Sequence, residues 1–267
     1  MNNLRKVLLV VFAGIIAVAG WKLYSIQAEY KEGDTLYESL AEDVVTIPEE
    51  LEDFANESAA SSEPEEAKIY IGTPPAVNFE KLWKTNSDVV AWIYAPGTPI
   101  NYPVVQTEDN EFYLKRMLDG RSNGAGTIFM DYRNEASLTD FNTILYGHNM
   151  KNGSMFGYLT RYRNQSWYDT HPVMWLVTPE QTYQIDVLAG QTVSANDPTY
   201  TIYNNEETFR VWLEDFTASS NFKSETAVED VEQIITLSTC TYTYDDARYV
   251  LIGALTPYKE EAKEALP

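Results

Sequence analysis

The stretch Ile234-Ile-Thr-Leu-Ser-Thr-Cys240 is followed by a polar segment, Thr241-Tyr-Thr-Tyr-Asp-Asp-Ala247, and then by a second apolar run, Arg248-Tyr-Val-Leu-Ile-Gly-Ala-Leu255. Two apolar runs of strand length on either side of a short polar segment predict a β-hairpin. If the two strands pair, Cys240 and Arg248 lie at the mouth of the hairpin on neighbouring strands. The pattern therefore predicts that a thiol and a guanidinium group come together.

Cys240 is the only cysteine of the chain, so an intramolecular disulfide is excluded. Free cysteines are often buried and inert, and packing is therefore the alternative role for this residue. The position of Cys240, where an apolar run meets a polar turn, favours a nucleophile instead. A nearby cation such as Arg248 would stabilise the thiolate or the oxyanion that forms when the thiolate attacks a carbonyl group. An ion pair of Arg248 with Asp245 or Asp246 is the ordinary alternative.

Only two histidines, His148 and His171, are available as a catalytic base. His148 follows the apolar run Ile144-Leu-Tyr-Gly147 and precedes a polar loop. Catalytic groups concentrate at such strand ends, because the scaffold is rigid and the side chain stays accessible. His171 precedes a proline in an aromatic turn, where packing or a backbone hydrogen bond is the usual role. We therefore expect His148 to be the base.

The composition indicates a folded, acidic protein. Hydrophobic residues make up 44% and aromatic residues 13% of the 267 residues, which is enough for a core. The 40 acidic and 19 basic residues give a formal net charge of −21. A surface of this charge repels a polyanion, which argues against nucleic acid as a partner.

The N-terminal segment indicates export across a membrane. Residues 7–21 form an uncharged apolar run that follows Arg5 and Lys6. The run reaches spanning length if the flanking charges snorkel. The distribution of charge places the N-terminus inside and the rest of the chain outside. A retained anchor is favoured, and a signal peptide cleaved after Ala17-Val-Ala19 is the alternative.

The chain divides into four predicted parts: a cytoplasmic tip with the transmembrane anchor (1–26), an acidic extracellular stalk (27–68), a catalytic domain (69–258) and a charged tail (259–267). The stalk is predicted because residues 27–66 carry fourteen acidic residues and one lysine, a composition that buries little apolar surface. We expect it to be solvated and at most partly helical, around Leu36, Tyr37 and Leu40.

Residues 69–258 contain many short apolar runs and few helical patterns. This predicts a mainly β fold with peripheral helices, either a barrel or a sandwich. The expected helices are a short one capped by Asn78, one over residues 110–118, and an amphipathic one over residues 204–216 with a capping box of Asn204 and Glu207. The expected strands cover residues 89–94, 100–105, 127–131, 143–146, 174–177, 183–189, 234–239 and 249–255.

The ordered set Tyr146-Gly-His-Asn149, Thr236-Leu-Ser-Thr-Cys240 and Arg248 resembles the signature of the sortase family, in which a histidine precedes a TLxTC cysteine and an arginine. The resemblance covers about residues 78–256. It extends to the class B branch through these flanking segments: Asn86-Ser-Asp-Val-Val-Ala-Trp-Ile93, Ile100-Asn-Tyr-Pro-Val-Val-Gln106, Asp109-Asn110, Ile128-Phe-Met-Asp-Tyr-Arg-Asn134 and His148-Asn-Met-Lys-Asn-Gly-Ser-Met-Phe156.

The resemblance implies an eight-stranded sortase-type barrel and a membrane-anchored cysteine transpeptidase that needs no cofactor or metal. Cys240 would form a thioester with an exported protein that bears a C-terminal sorting motif, after cleavage behind threonine. An amine of a peptidoglycan precursor or a pilin lysine would resolve the thioester. The implied catalytic residues are His148, Cys240 and Arg248. The implied substrate-binding residues are Asn110, Leu114, Tyr146 and Ser238, and the protein is expected to be a monomer.

Two alternative functions remain open at the level of the sequence. The same cysteine and histidine could serve a cell-wall peptidase or amidase that hydrolyses its thioester. A surface-binding protein without catalysis is the second alternative.

One position departs from the family pattern. Tyr242 stands where some class B members have an acidic residue, which leaves any role of Asp245 or Asp246 undecided.

Overall fold

The computed structural model describes residues 3–48, 69–241 and 243–259, and ten strands lie in these ranges. Two short strands, β1 (Val45–Thr46) and β2 (Ala76–Val77), pair with each other outside the main sheet. The main sheet consists of β3 (Val89–Tyr94), β4 (Asn101–Val105), β5 (Ile128–Met130), β6 (Asn142–Tyr146), β7 (Val173–Val177), β8 (Thr182–Ser194), β9 (Ile234–Cys240) and β10 (Ala247–Pro257).

These eight strands close into a barrel in the order β10-β8-β7-β3-β4-β5-β6-β9. The β4–β5 and β6–β9 pairs are parallel, and the other pairs are antiparallel. Closure satisfies the backbone groups that an open sheet would leave unpaired at its edges. The eight-stranded barrel expected from the sequence is therefore confirmed, and so is the hairpin of β9 and β10.

Side chains alternate between the two faces of the barrel wall. Along β9, Ile235 and Leu237 belong to the apolar cluster that fills the barrel. Ile234 belongs to a second cluster, together with Val250 and Ile252 of β10. Because successive residues of a strand point to opposite faces, even-numbered residues of β9 and β10 lie on the outer face.

The second cluster is covered by an amphipathic helix. The described part of the chain contains the α-helices α1 (Asn3–Val44), α2 (Phe79–Thr85), α3 (Gln165–Thr170) and α4 (Glu206–Ala218). α4 buries Phe209, Leu213 and Phe216 against the outer face of β8, β9 and β10. Its N-cap is Asn205, whose side chain accepts a hydrogen bond from the Thr208 amide at 3.0 Å. The helix is confirmed, but the predicted cap at Asn204 is wrong by one residue.

The two other helix predictions have different outcomes. Asn78 caps α2 by accepting a hydrogen bond from the Lys81 amide at 3.0 Å, as predicted. The helix expected over residues 110–118 is only the 3-10 helix Phe112–Lys115. Asp109 holds its start, since one carboxylate oxygen accepts from the amides of Glu111 and Phe112.

α1 has an exposed apolar half and a docked acidic half. The large apolar side chains between Val11 and Tyr24 are exposed, and by length and composition the helix could cross a membrane. Farther along, Tyr37 and Val44 are almost completely buried. The Tyr37 hydroxyl donates to the Gly126 carbonyl at 2.5 Å.

The docked half corrects the prediction of a solvated stalk. Over residues 27–48 the chain packs on the barrel, because apolar side chains recur on one face of α1 while acidic side chains bond to the segment 121–127. The Asn123 side chain donates to the Glu29 carbonyl at 2.9 Å, and Arg121 pairs with Glu32. The rest of the predicted stalk, 49–68, and tail residues 260–267 lie outside the described residues.

A substitution at Gly253 tests the packing of the barrel wall. A Cβ atom at this position would lie 2.4 Å from Cγ2 of Ile185 on β8. Gly253→Ala should therefore lower the free energy of unfolding by about 1–3 kcal/mol, since the wall must shift to admit the methyl group. Val211→Ala on the exposed face of α4 is the control, and urea unfolding measures both. Equal stability of the Gly253 variant and the parent protein would contradict this packing.

Candidate active site

Cys240 and Arg248 lie opposite each other on adjacent strands. Cys240 is the last residue of β9, and its partner in the antiparallel ladder is Arg248 of β10. Side chains of directly opposed residues share one face of a sheet, with Cβ atoms about 4.5–5.5 Å apart. By the alternation described above, this is the outer face. The cysteine is exposed rather than packed in a core.

The third predicted residue, His148, reaches the same place from the neighbouring strand. β6 runs parallel to β9, with Tyr146 paired to Ser238, so two residues farther along His148 comes beside Cys240. The Asn149 side chain donates to the Cys240 carbonyl at 2.8 Å. The Thr239 hydroxyl donates to the Gly147 carbonyl at 2.8 Å. These bonds hold the segment that carries the histidine against the end of β9.

Gly147 is required where the chain passes from β6 to His148. A Cβ atom there would lie 2.4 Å from Cδ1 of Ile128 and 2.7 Å from the ring of Phe156. Only glycine lets the backbone pass this close to the barrel core. Beyond it, Nε2 of His148 donates to the Leu114 carbonyl at 2.6 Å, since a carbonyl oxygen can only accept.

A cavity of about 390 Å³ opens at this end of the barrel. All seven residues singled out from the sequence line it: Asn110, Leu114, Tyr146, His148, Ser238, Cys240 and Arg248. The structure therefore brings the predicted residues together in one site. The volume of the cavity is in the range of pockets that bind small molecules or peptide side chains.

One wall of the cavity is aromatic. The rings of Phe129 and Tyr146 stack with centroids 5.2 Å apart, and Tyr146 and Tyr200 stack at 6.1 Å. The Tyr200 hydroxyl shares a 2.9 Å hydrogen bond with Ser238 Oγ. Burial raises the pKa of Tyr200 to about 12, although the Ser238 bond and the charge of Arg248 act in the opposite direction. Tyr200 is therefore neutral at physiological pH.

A buried carboxylate holds this wall from behind. Asp131 is completely buried and accepts hydrogen bonds from Arg133 Nε at 2.8 Å, Asn110 Nδ2 at 3.0 Å and the Tyr146 hydroxyl at 2.9 Å. Burial by itself would raise the pKa of Asp131, but the bonds from Arg133 and Tyr146 outweigh it and the pKa is lowered. Asp131 thus remains ionised and fixes both Asn110 and Tyr146, two of the predicted substrate-binding residues.

Several residues of this site were missed at the level of the sequence. Phe129, Arg133 and Tyr200 line the cavity, and Asp131 supports it. The Asp-x-Arg pattern in the segment 128–134 was a signal for the ion pair. Tyr200 lies in the 3-10 helix Pro198–Tyr200, and no sequence pattern marks it as part of a site.

The other residues that the sequence offered as alternatives, His171, Asp245 and Asp246, do not line the cavity. His171 is buried between the rings of Tyr70 and Trp167 and does not line the cavity. Within the described ranges, neither Asp245 nor Asp246 forms a side-chain hydrogen bond or ion pair with His148 or Arg248. Tyr242, the position that departs from the pattern, lies outside the described residues.

Comparisons with known proteins give one consistent result. A family model described as the sortase domain matches residues 93–256. Sortase B of Listeria monocytogenes is 31% identical over 94% of this chain and 96% of its own length. Sortase B of Staphylococcus aureus is 34% identical over 66% of this chain and 74% of its own length. The structure of an S. aureus sortase B-substrate complex superposes with a TM-score of 0.68 at 28% identity, over 87% of this chain and all of the other.

Asp131 gives a pH-dependent prediction. Its pKa is lowered in the folded protein, so its stabilising effect is present above the unfolded value of about 3.9 and is lost as the pH falls through the folded value. Asp131→Asn should therefore cost about 1–3 kcal/mol at pH 7 and clearly less near pH 3. Urea unfolding at both pH values measures this, with the exposed Glu135→Gln as control. A cost that does not change with pH would contradict the assignment.

Proposed function

The chain belongs to the sortase family, in its class B branch, and on this premise we propose that it is a membrane-anchored cysteine transpeptidase. It cleaves a C-terminal sorting motif of exported proteins after threonine and transfers the acyl group to an amine. The observation that carries the proposal is the convergence of Cys240, His148 and Arg248 at one open cavity.

In the first half-reaction, the Cys240 thiolate attacks the carbonyl carbon of the threonine. The tetrahedral intermediate carries an oxyanion, and the Arg248 guanidinium donates to it from the adjacent strand. Collapse of the intermediate re-forms the carbonyl group and breaks the bond from carbon to nitrogen. The departing nitrogen needs a proton, and a thioester remains on Cys240.

His148 supplies that proton and later removes one. The cycle begins with Cys240 as the thiolate and His148 as the imidazolium. Nε2–H stays bonded to the Leu114 carbonyl, and the proton on Nδ1 passes to the departing nitrogen. In the second half-reaction an amine attacks the thioester, Nδ1 takes the proton from the attacking nitrogen, and the thiolate leaves. The product is an amide bond, and Cys240 and His148 return to their starting states.

The acceptor and the sorted protein define the biological role. We propose an amine of the peptidoglycan cross-bridge or a pilin lysine as acceptor. The groove residues Asn110, Leu114, Tyr146 and Ser238 hold the sorting motif. The aromatic wall and the fixed Asn110 support this, because a pocket with few placed polar groups orients a peptide.

α1 is the proposed membrane anchor of the enzyme. Its exposed apolar half is the proposed single membrane span, with Arg5 and Lys6 on the cytoplasmic side and the barrel outside. The docked half of the same helix then holds the barrel close to the membrane surface, where exported proteins emerge.

A peptide assay tests the function. The full chain in neutral detergent is incubated with peptides that carry threonine-containing sorting motifs, with and without a nucleophilic amine, and the products are identified by mass spectrometry. We expect the released acyl fragment to acquire the amine, and Cys240→Ala to give no product. Cleavage whose product never contains the amine would identify a hydrolase instead. No cleavage of any peptide, with an unchanged Cys240→Ala phenotype in cells, would indicate a binding protein.

Arg248→Lys tests the oxyanion role. An ammonium group cannot reproduce the two-pronged geometry of a guanidinium group, so kcat/KM should fall by roughly tenfold or more. Alkylation of Cys240 by a small thiol reagent checks that the cysteine stays accessible. Arg210→Lys on α4 is the control, since this residue pairs with Glu206 away from the cavity. Near-normal turnover of the Arg248 variant would exclude the proposed role.

A further inference from the structure

A second, larger cavity lies between α1 and the barrel. It has a volume of about 670 Å³ and shares no lining residue with the cavity of Cys240. Three parts of the chain supply most of its lining: residues 34–41 of α1, the connection from β3 to β4 over residues 94–102, and residues 152–158 of the loop that follows His148. Ile47 and Tyr70 complete it.

The charged groups of this cavity all have the same sign. Asp34 and Glu38 line it, and among residues 3–48, 69–241 and 243–259 no lysine, arginine or histidine does. Asp34 accepts a hydrogen bond from the Asn152 side chain at 2.8 Å. Glu38 forms no hydrogen bond or ion pair within the described part of the chain. The guanidinium group of Arg161 is close by, but it is stacked on the ring of Tyr158 at 4.2 Å and is not part of the lining.

Aromatic rings form a large part of the remaining wall. Five tyrosines line the cavity, and the rings of two of them, Tyr37 and Tyr102, meet edge to face at 5.5 Å. Burial raises the pKa of Tyr102 to about 12, and the negative charges of Asp34 and Glu38 add to this rise. The field of the two carboxylates therefore reaches the aromatic wall. Electron-rich ring faces beside carboxylates attract organic cations.

Like Glu38, the hydroxyl group of Tyr94 lines the cavity without a partner among the described residues. The Tyr94 side chain is 7% exposed, and within the described residues its hydroxyl forms no hydrogen bond. The hydroxyl of Tyr94, at the end of β3, is thus available to a ligand in the cavity.

We propose that this cavity binds a primary alkylammonium group, such as a lysine side chain of another protein or a free diamine. The carboxylates of Asp34 and Glu38 accept from the ammonium group, and the alkyl chain lies against the tyrosine rings. A primary ammonium has three hydrogens to donate, whereas a quaternary ammonium has none and would leave these acceptors unused. The volume is sufficient for a chain of several carbon atoms.

Cadaverine, a diamine with five carbon atoms, is the probe. Its binding to the full chain in neutral detergent is measured by calorimetry without any acyl substrate, so the result does not depend on the proposed transpeptidase activity. We expect saturable binding that weakens with added salt. Glu38→Gln should weaken it about threefold to tenfold. Glu42→Gln changes the same charge one turn along α1, outside the cavity, and should leave the affinity unchanged.

1,5-Pentanediol has the same length without the charges and should not bind. The proposal is overturned if cadaverine does not bind, if the diol binds equally well, or if Glu38→Gln and Glu42→Gln weaken binding to the same extent. Binding of a neutral oligosaccharide in place of cadaverine would also overturn it, because the site would then recognise hydroxyl groups rather than charge. Both substitutions alter exposed side chains, so we expect both variants to fold. Melting temperatures equal to that of the parent protein confirm this.

Discussion

The pairing of β9 with β10 on one side and with β6 on the other is the constraint on which the site depends. The register places Cys240 opposite Arg248 and Ser238 beside Tyr146. Because side chains alternate along strands, all of them lie on the outer face of the wall, in line with the apolar surface that α4 covers. A shift of one residue would turn the thiol into the barrel.

A second requirement is that the outer face remain open and ordered where α4 ends. The buried carboxylate of Asp131 provides this order, because it holds Arg133, Asn110 and Tyr146 in one hydrogen-bond network behind the cavity. The aromatic wall is then fixed before any ligand arrives, so less conformational entropy is lost on binding. Gly147 contributes from the other side, because the chain can approach the core there and present His148 at the rim.

Local patterns predicted much of this structure. The apolar runs identified all eight barrel strands, and the signature residues Cys240, His148 and Arg248 share a site because the strands that carry them are neighbours. The docking of α1 was not predicted, since its acidic composition resembles a solvated segment and the buried side chains of Tyr37 and Val44 find their partners only in the folded barrel. Tyr200 was missed for a similar reason: only the path of the loop after β8 brings it to Ser238.

Acyl transfer as proposed here requires a thioester on Cys240. Mixing the full chain with a sorting peptide in the absence of an amine, quenching in acid and measuring the intact mass tests it most directly. We expect an added mass equal to the peptide fragment up to threonine, which fragmentation locates on Cys240 and hydroxylamine removes. Peptide cleavage without any adduct on Cys240, or with the adduct on another residue, would contradict it.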